Sequence, residues 1–84
     1  MEIAHLNPTE QTFEELDYRE NDGIEVSLLW HRAAGDLSIF VTDRRTKDAF
    51  EFSVRADEAK DAFVHPYAYA TFRRRPARFL RAAA

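Results

Sequence analysis

At 84 residues, 45% of them hydrophobic, the chain is long enough for one small domain with a single core. It contains no cysteine, which excludes disulfides and thiolate metal sites. The net charge of −3 averages two unlike segments. Residues 1–72 carry 7 basic and 15 acidic side chains (−8), and residues 73–84 carry five arginines and no acid (+5). This asymmetry is typical of an acidic folded body with a basic tail.

The N-terminal segment, residues 1–12, has weak periodicity. Two interpretations stay open: a short helix capped by Asn7 with Pro8 in its first turn, or a poorly ordered terminus. Residues 1–20 hold six acids, one arginine and no apolar run, which is the reverse of a signal peptide. No apolar run approaches the ~20 residues needed to span a bilayer. We therefore expect a cytoplasmic protein without a membrane span.

Four segments alternate apolar and polar residues with a period of two, which is typical of half-buried strands. They are residues 16–20, 24–30, 37–42 and 50–54. The first two are separated by Asn21-Asp22-Gly23, a strong hairpin signal, and the others by a turn at residues 33–36 and a polar turn at residues 43–48. Short connections between successive strands predict a four-stranded antiparallel meander.

One face of the predicted sheet is entirely apolar or aromatic. It comprises Leu16, Tyr18, Ile24, Val26, Leu28, Trp30, Leu37, Ile39, Val41, Phe50, Phe52 and Val54. The opposite face is polar except for Leu29 and Phe40, which lie on adjacent strands. These two residues are interpreted as ordinary exposed side chains, as a partner or self-association surface, or as a docking point for Phe79 and Leu80.

A helix is predicted to cover the apolar face. Asp57 suits the N-cap, residues 57–64 read as helix, and Pro66 ends or bends it. Aromatic residues 67, 69 and 72 are expected to extend this cover as a second short helix from Pro66 or as an ordered arm. The fold class is therefore α+β, with a C-terminal helix packed on one face of the sheet. Its segments are an N-terminus (1–12), a single domain (13–72) and a basic arm (73–84).

The chemistry-bearing residues do not form a recognisable catalytic or metal site. His5, His31 and His65 lack metal-ligand spacing, and no Gly-x-Ser-x-Gly motif is present. Only two glycines occur, so a glycine-rich phosphate loop is excluded. The sequence predicts no catalytic residue, no metal, no cofactor and no enzymatic activity.

The basic arm interleaves arginine with Phe and Leu. The residues concerned are Arg73, Arg74, Arg75, Arg78, Phe79, Leu80 and Arg81. Three interpretations stay open. The arm binds backbone phosphates of nucleic acid or another anionic surface; it binds protein, including the acidic body of its own chain or of a second copy; or it is a solvated terminus with no dedicated role.

Residues 16–70 resemble small uncharacterised bacterial proteins, chiefly actinobacterial. The motifs that carry the resemblance are residues 22–26 (DGIEV), 28–30 (LLW) and 65–70 (HPYAYA). The resemblance implies no activity, and the basic arm lies outside it. The predicted function is a non-enzymatic protein-interaction module whose partner is another protein or the chain itself, as in a homodimer. Its predicted contacts are the arm together with Leu29 and Phe40. The alternative is nucleic-acid or anionic-surface binding through the arm alone.

Overall fold

The computed structural model describes residues 13–77 of the chain. Within this range lie four strands and two short helices: β1 (Phe13–Asn21), β2 (Ile24–His31), β3 (Asp36–Asp43), β4 (Asp48–Val54), α1 (Ala59–Val64) and α2 (Pro66–Ala70). The strands lie in the sheet in chain order, and each runs antiparallel to the next. The predicted α+β meander with a helical cover is confirmed. Neither helix is long and apolar enough to cross a membrane.

The turn between β1 and β2 sets the register of the whole first strand. Asp22 and Gly23 have φ values of 53° and 81°, as a two-residue type I′ turn requires. Asn21 therefore pairs directly with Ile24. Because directly paired residues share a face, the side chain of Asn21 lies on the same side of the sheet as that of Ile24.

The predicted position of Leu16 and Tyr18 on the core face is wrong. The turn register pairs Tyr18 with Ser27 and Arg19 with Val26, so Arg19 faces the core side instead. A β-bulge between Glu15 and Asp17 then leaves Leu16 outside the regular pairing. Leu16 and Tyr18 are accordingly 49% and 43% exposed.

The helix face of the sheet, which packs against α1 and α2, carries the main core. The buried members of this core are Val26, Ile39, Val41, Phe50, Phe52, Val54, Ala59, Ala62, Phe63 and Ala70. The alternation predicted for β2, β3 and β4 is confirmed, since all six strand residues of this cluster were placed on one face. Helix α1 contributes Ala59, Ala62 and Phe63 to the cluster, which fixes the helix against the sheet.

The centre of the far face of the sheet, opposite the helices, is also buried. Leu29 is 0% and Phe40 3% exposed, so the interpretation of these residues as an exposed apolar patch is wrong. Polar neighbours on the same face, Ser27, Ser38 and Glu51, are equally inaccessible. Alternation predicts which residues share this face, but it does not reveal whether the face is covered.

The helical cover differs in detail from the prediction. Helix α1 begins at Ala59, with Glu58 at the N-cap and no side-chain cap, and Asp57, the predicted cap, instead pairs with Arg55. A second short helix does start at Pro66, which is one of the two predicted alternatives. Phe72, predicted to extend the cover, is instead 98% exposed.

Candidate interaction surface

The start of the basic arm lies against the outer edge of β4. Arg75 and Glu51 exchange two backbone hydrogen bonds, of 3.0 and 2.9 Å, forming an isolated antiparallel bridge. The Arg75 guanidinium also donates to the Glu51 carboxylate at 3.0 Å and to the Ser53 hydroxyl at 3.1 Å. Glu51 is fully buried, so its carboxylate requires such charged donors. The Arg75 backbone therefore pairs with the edge strand β4, and the Arg75 guanidinium provides the counter-charge of the buried Glu51 carboxylate.

Arg74 contacts the acidic body on the helix-face side of β4. Its guanidinium donates to the Asp48 carboxylate at 2.9 Å and lies 4.1 Å from the centroid of the Phe50 ring. The close cation–π distance is favourable, and the flat guanidinium covers an aromatic ring of the core.

Arg73 contacts the acid that precedes α1. Its guanidinium donates to Glu58 at 2.7 Å, and the same carboxylate accepts the backbone N–H of Arg55 at 2.9 Å. Hydrogen bonds from the Arg73 side chain and the Arg55 backbone hold the pKa of Glu58 below its usual value. The same pairing raises the pKa of Arg73. Arg73, Arg74 and Arg75 thus each bind a different acid of the body.

The Glu58 carboxylate makes stability depend on pH in a defined direction. Its pKa is lower in the folded chain than the ordinary 4.5, so the charged form stabilises the fold above that value. This contribution is lost as pH falls through the depressed folded-state pKa. We expect Glu58→Gln to be less stable than wild type near about pH 7, and we expect this difference to shrink as the pH is lowered to about 3, measured by urea unfolding.

The matched control is Glu14→Gln, which removes one carboxylate from the exposed ion pair with Arg32. This variant should follow the wild-type profile closely, because exposed pairs contribute about 0–1 kcal/mol. A constant difference between Glu58→Gln and wild type at both pH values would contradict the assignment.

Phe72 lies on an ordered turn between α2 and the docked arginines. Two backbone N–H groups, of Arg73 and Arg74, donate to the Ala70 carbonyl at 3.0 Å each and close the turn. Phe72 is 98% exposed, and its ring borders an open cleft of about 420 Å³. This cleft is called the Phe72 cleft. The residues lining it are Ala68, Tyr69, Thr71, Phe72 and Arg73.

A second cleft, the hairpin cleft, lies between the β1–β2 turn and the helices. Its volume is about 430 Å³, within the range of small-ligand and side-chain sites. The residues lining it are Arg19, Asn21, Asp22, Ile24, Arg45, Val64, His65, Pro66, Tyr67 and Ala68. Ala68 lines both clefts, so they are adjacent along α2.

Arg19 forms the charged floor of the hairpin cleft. Its Nε and Nη2 donate to the Phe63 carbonyl at 3.1 and 2.9 Å, and Nη2 donates to the Val64 carbonyl at 3.0 Å. These carbonyls end α1, where a cation is favoured by the helix dipole. The guanidinium also lies 5.5 Å from the centroid of the Phe63 ring. Its orientation is therefore fixed, and Nη1 donates to no other group among residues 13–77.

Tyr67 forms an aromatic wall of the same cleft. Its ring packs edge-on against Phe50, with 5.7 Å between centroids, while 47% of the residue stays exposed. Burial, followed by the charges of Asp43 and Asp48, raises the pKa of its hydroxyl. The hydroxyl is therefore protonated at neutral pH and can donate a hydrogen bond.

The predicted site residues fall into three groups according to their location in the structure. Leu29 and Phe40 are buried on the far face, and residues 73–75 are docked on the acidic body. Arg78, Phe79, Leu80 and Arg81 lie outside the described residues. The partner-binding role assigned to all of these residues stays a prediction.

Sequence reasoning missed Arg19 and Phe72 as surface features. For Arg19 a signal was present: a two-residue Asp22-Gly23 turn places residue 19 opposite Val26 on the core side, where an arginine needs specific partners. For Phe72 no local signal distinguishes a covering aromatic from an exposed one.

Among residues 13–77, no group of three or more His, Asp or Glu side chains is arranged to hold a metal ion. Comparison of the chain with protein-family models, with curated proteins and with solved structures found no match. The resemblance to small bacterial proteins therefore stays a prediction, and function must be inferred from the surface itself.

Proposed function

We propose that this chain is a non-enzymatic protein-interaction module that contacts its partner through Phe72 and the two clefts beside α2. The observation that carries the proposal is the 98% exposure of Phe72 on a hydrogen-bonded turn. A large aromatic side chain held in water on an ordered backbone is typical of an interface anchor.

The Phe72 ring gains free energy when a partner removes it from water. Burying an exposed phenylalanine side chain contributes about 1.5–3 kcal/mol. The turn is closed by the two bonds to the Ala70 carbonyl, so little backbone freedom remains to be lost on binding. Anchors of this kind account for most of the affinity of many interfaces.

Nucleic-acid binding through the basic arm receives less support. Arg73, Arg74 and Arg75 each pair with a carboxylate of the body, at 2.7, 2.9 and 3.0 Å. A phosphate backbone would have to compete with these ion pairs and approach a body of net negative charge. The other two arginines of the arm, at positions 78 and 81, lie outside the described residues.

The proposal predicts specific photo-crosslinking at position 72. We expect full-length protein with p-benzoylphenylalanine in place of Phe72 to give a discrete adduct on irradiation in cell extract. Excess unlabelled wild-type protein should compete this adduct away, whereas excess Phe72→Ala protein should not. Mass spectrometry of the adduct distinguishes another protein from a second copy of the chain.

The matched control carries the same photoreactive residue in place of Ala33, which is exposed in the turn between β2 and β3. No competed adduct is expected there. Equal adducts at both positions, or an adduct at position 72 that wild-type protein fails to compete, would overturn the proposal.

A further inference from the structure

We propose that the hairpin cleft binds a carboxylate of an acidic–aliphatic segment of the partner protein, with Arg19 as the anchoring cation. The inference rests on the proposed function, since it names the chemistry of the partner that the surface accepts. It assigns a role to an arginine that the charge pattern of the sequence does not single out.

Arg19 differs from the other arginines in its hydrogen-bond partners. Within residues 13–77, the other seven each form an ion pair with an Asp or Glu of the body: residues 32, 44, 45, 55, 73, 74 and 75. Arg19 alone in that range bonds only to neutral carbonyls. It is half-buried, so its charge is only partly solvated. A partner carboxylate at Nη1 would supply the missing counter-charge.

Further hydrogen-bond donors lie around the hairpin cleft. Arg45 lines it with a side chain 63% exposed, and the Tyr67 hydroxyl donates to no group among residues 13–77. Two acids oppose an incoming anion: Asp22 lines the cleft, and Asp43 pairs with Arg45 at 3.4 Å. Asp43 is itself held by the backbone N–H of residue 45 at 2.9 Å, which offsets part of its charge.

The lining and openness of the hairpin cleft favour a peptide segment as its occupant. The walls of the hairpin cleft include the apolar side chains of Val64 and Pro66 and the ring of Tyr67. The cleft is open and adjoins the Phe72 cleft at Ala68, so an extended chain can cross both. A segment with a carboxylate next to aliphatic side chains complements this combination of fixed cation and apolar wall.

The test is a titration of full-length protein, followed by amide NMR, with a short blocked peptide of alternating Asp and Leu. A peptide in which Asn replaces Asp is the matched probe. We expect saturable shifts at residues 22, 23, 65 and 68 with the acidic peptide and much weaker shifts with the neutral one. Binding should weaken as salt rises.

Two variants identify the anchoring charges. Arg19→Met is expected to weaken binding of the acidic peptide about tenfold or more, as the loss of a charge-assisted hydrogen bond implies. Arg45→Met leaves the hydrogen bonds from Arg19 to the end of α1 intact. This variant should weaken binding of the acidic peptide less than Arg19→Met does. Arg44→Met removes the same charge from a side chain that pairs with Glu20 and Glu25 outside the cleft, and it should change binding less than about twofold.

The outcomes separate this inference from the proposed function. Equal binding of the acidic and neutral peptides, or equal weakening by Arg19→Met and Arg44→Met, would overturn the carboxylate site. Competed crosslinking at position 72 would in that case still support the interaction module. Conversely, binding of the acidic peptide in the absence of a competed crosslink would support the carboxylate site in the hairpin cleft. It would at the same time refute the partner contact through Phe72. Adducts containing only a second copy of the chain would make that copy the source of the acidic segment.

Discussion

Phe50→Ala is expected to destabilise the chain by about 3–5 kcal/mol, the usual cost of truncating a buried phenylalanine. The ring is 2% exposed and lies at the junction of three parts of the molecule. It stacks near Phe52 with 6.4 Å between centroids, packs against Tyr67, and lies under the guanidinium of Arg74. Its removal therefore empties part of the core and loosens both the helical cover and the arm.

The matched control for this prediction is Phe72→Ala, the same substitution at a 98% exposed position. It should change the free energy of unfolding by less than about 0.5 kcal/mol. An 84-residue domain has a total stability of about 4–12 kcal/mol, so Phe50→Ala alone could leave it largely unfolded. Urea unfolding followed by circular dichroism checks both variants, and similar costs at positions 50 and 72 would contradict the described core.

Arg75→Ala is expected to cost about 3 kcal/mol. Breaking a buried ion pair costs about 3–5 kcal/mol, and the lower end applies because Arg75 is one-third exposed. Its partner Glu51 is fully buried and would lose a charged donor at 3.0 Å. The same loss should expose the outer edge of β4 to exchange, since the backbone bridge between residues 51 and 75 would weaken.

The control for Arg75 is Arg32→Ala, which removes an exposed arginine paired with Glu14. That pair should contribute at most about 1 kcal/mol. The measurements are urea unfolding and hydrogen exchange at the amide of Glu51, which donates to the Arg75 carbonyl. Equal destabilisation by the two variants would show that Arg75 acts as an ordinary surface charge.

Much of the sheet follows from local pattern, because each strand pairs with its neighbour in sequence. Alternation places Val26, Ile39 and Phe52 correctly on one face, and short turns predict the antiparallel order. The prediction for the first strand is wrong because the apolar residues Leu16 and Tyr18 suggest a register that differs from the one set by the two-residue turn. Turn geometry is the stronger constraint, since it fixes which residues are opposite one another.

The candidate surface could be predicted only in outline. The excess of acid in the body and arginine in the arm makes docking of the arm an available interpretation. Which acids pair with Arg73 and Arg75 depends on contacts 15 and 24 residues apart, which no local pattern encodes. The burial of Leu29 and the exposure of Phe72 likewise depend on where distant segments lie. Composition predicts the charges, and tertiary structure determines which of them remain unpaired.

The bridge between Arg75 and Glu51 has a consequence for the order in which the molecule folds. The three hairpins close short loops between consecutive strands and can form early. The bridge instead closes a loop of 24 residues, whose entropy must be lost before the ion pair contributes. It is therefore expected to form after the rate-limiting step, so that its strength determines how slowly the native chain opens rather than how quickly it folds.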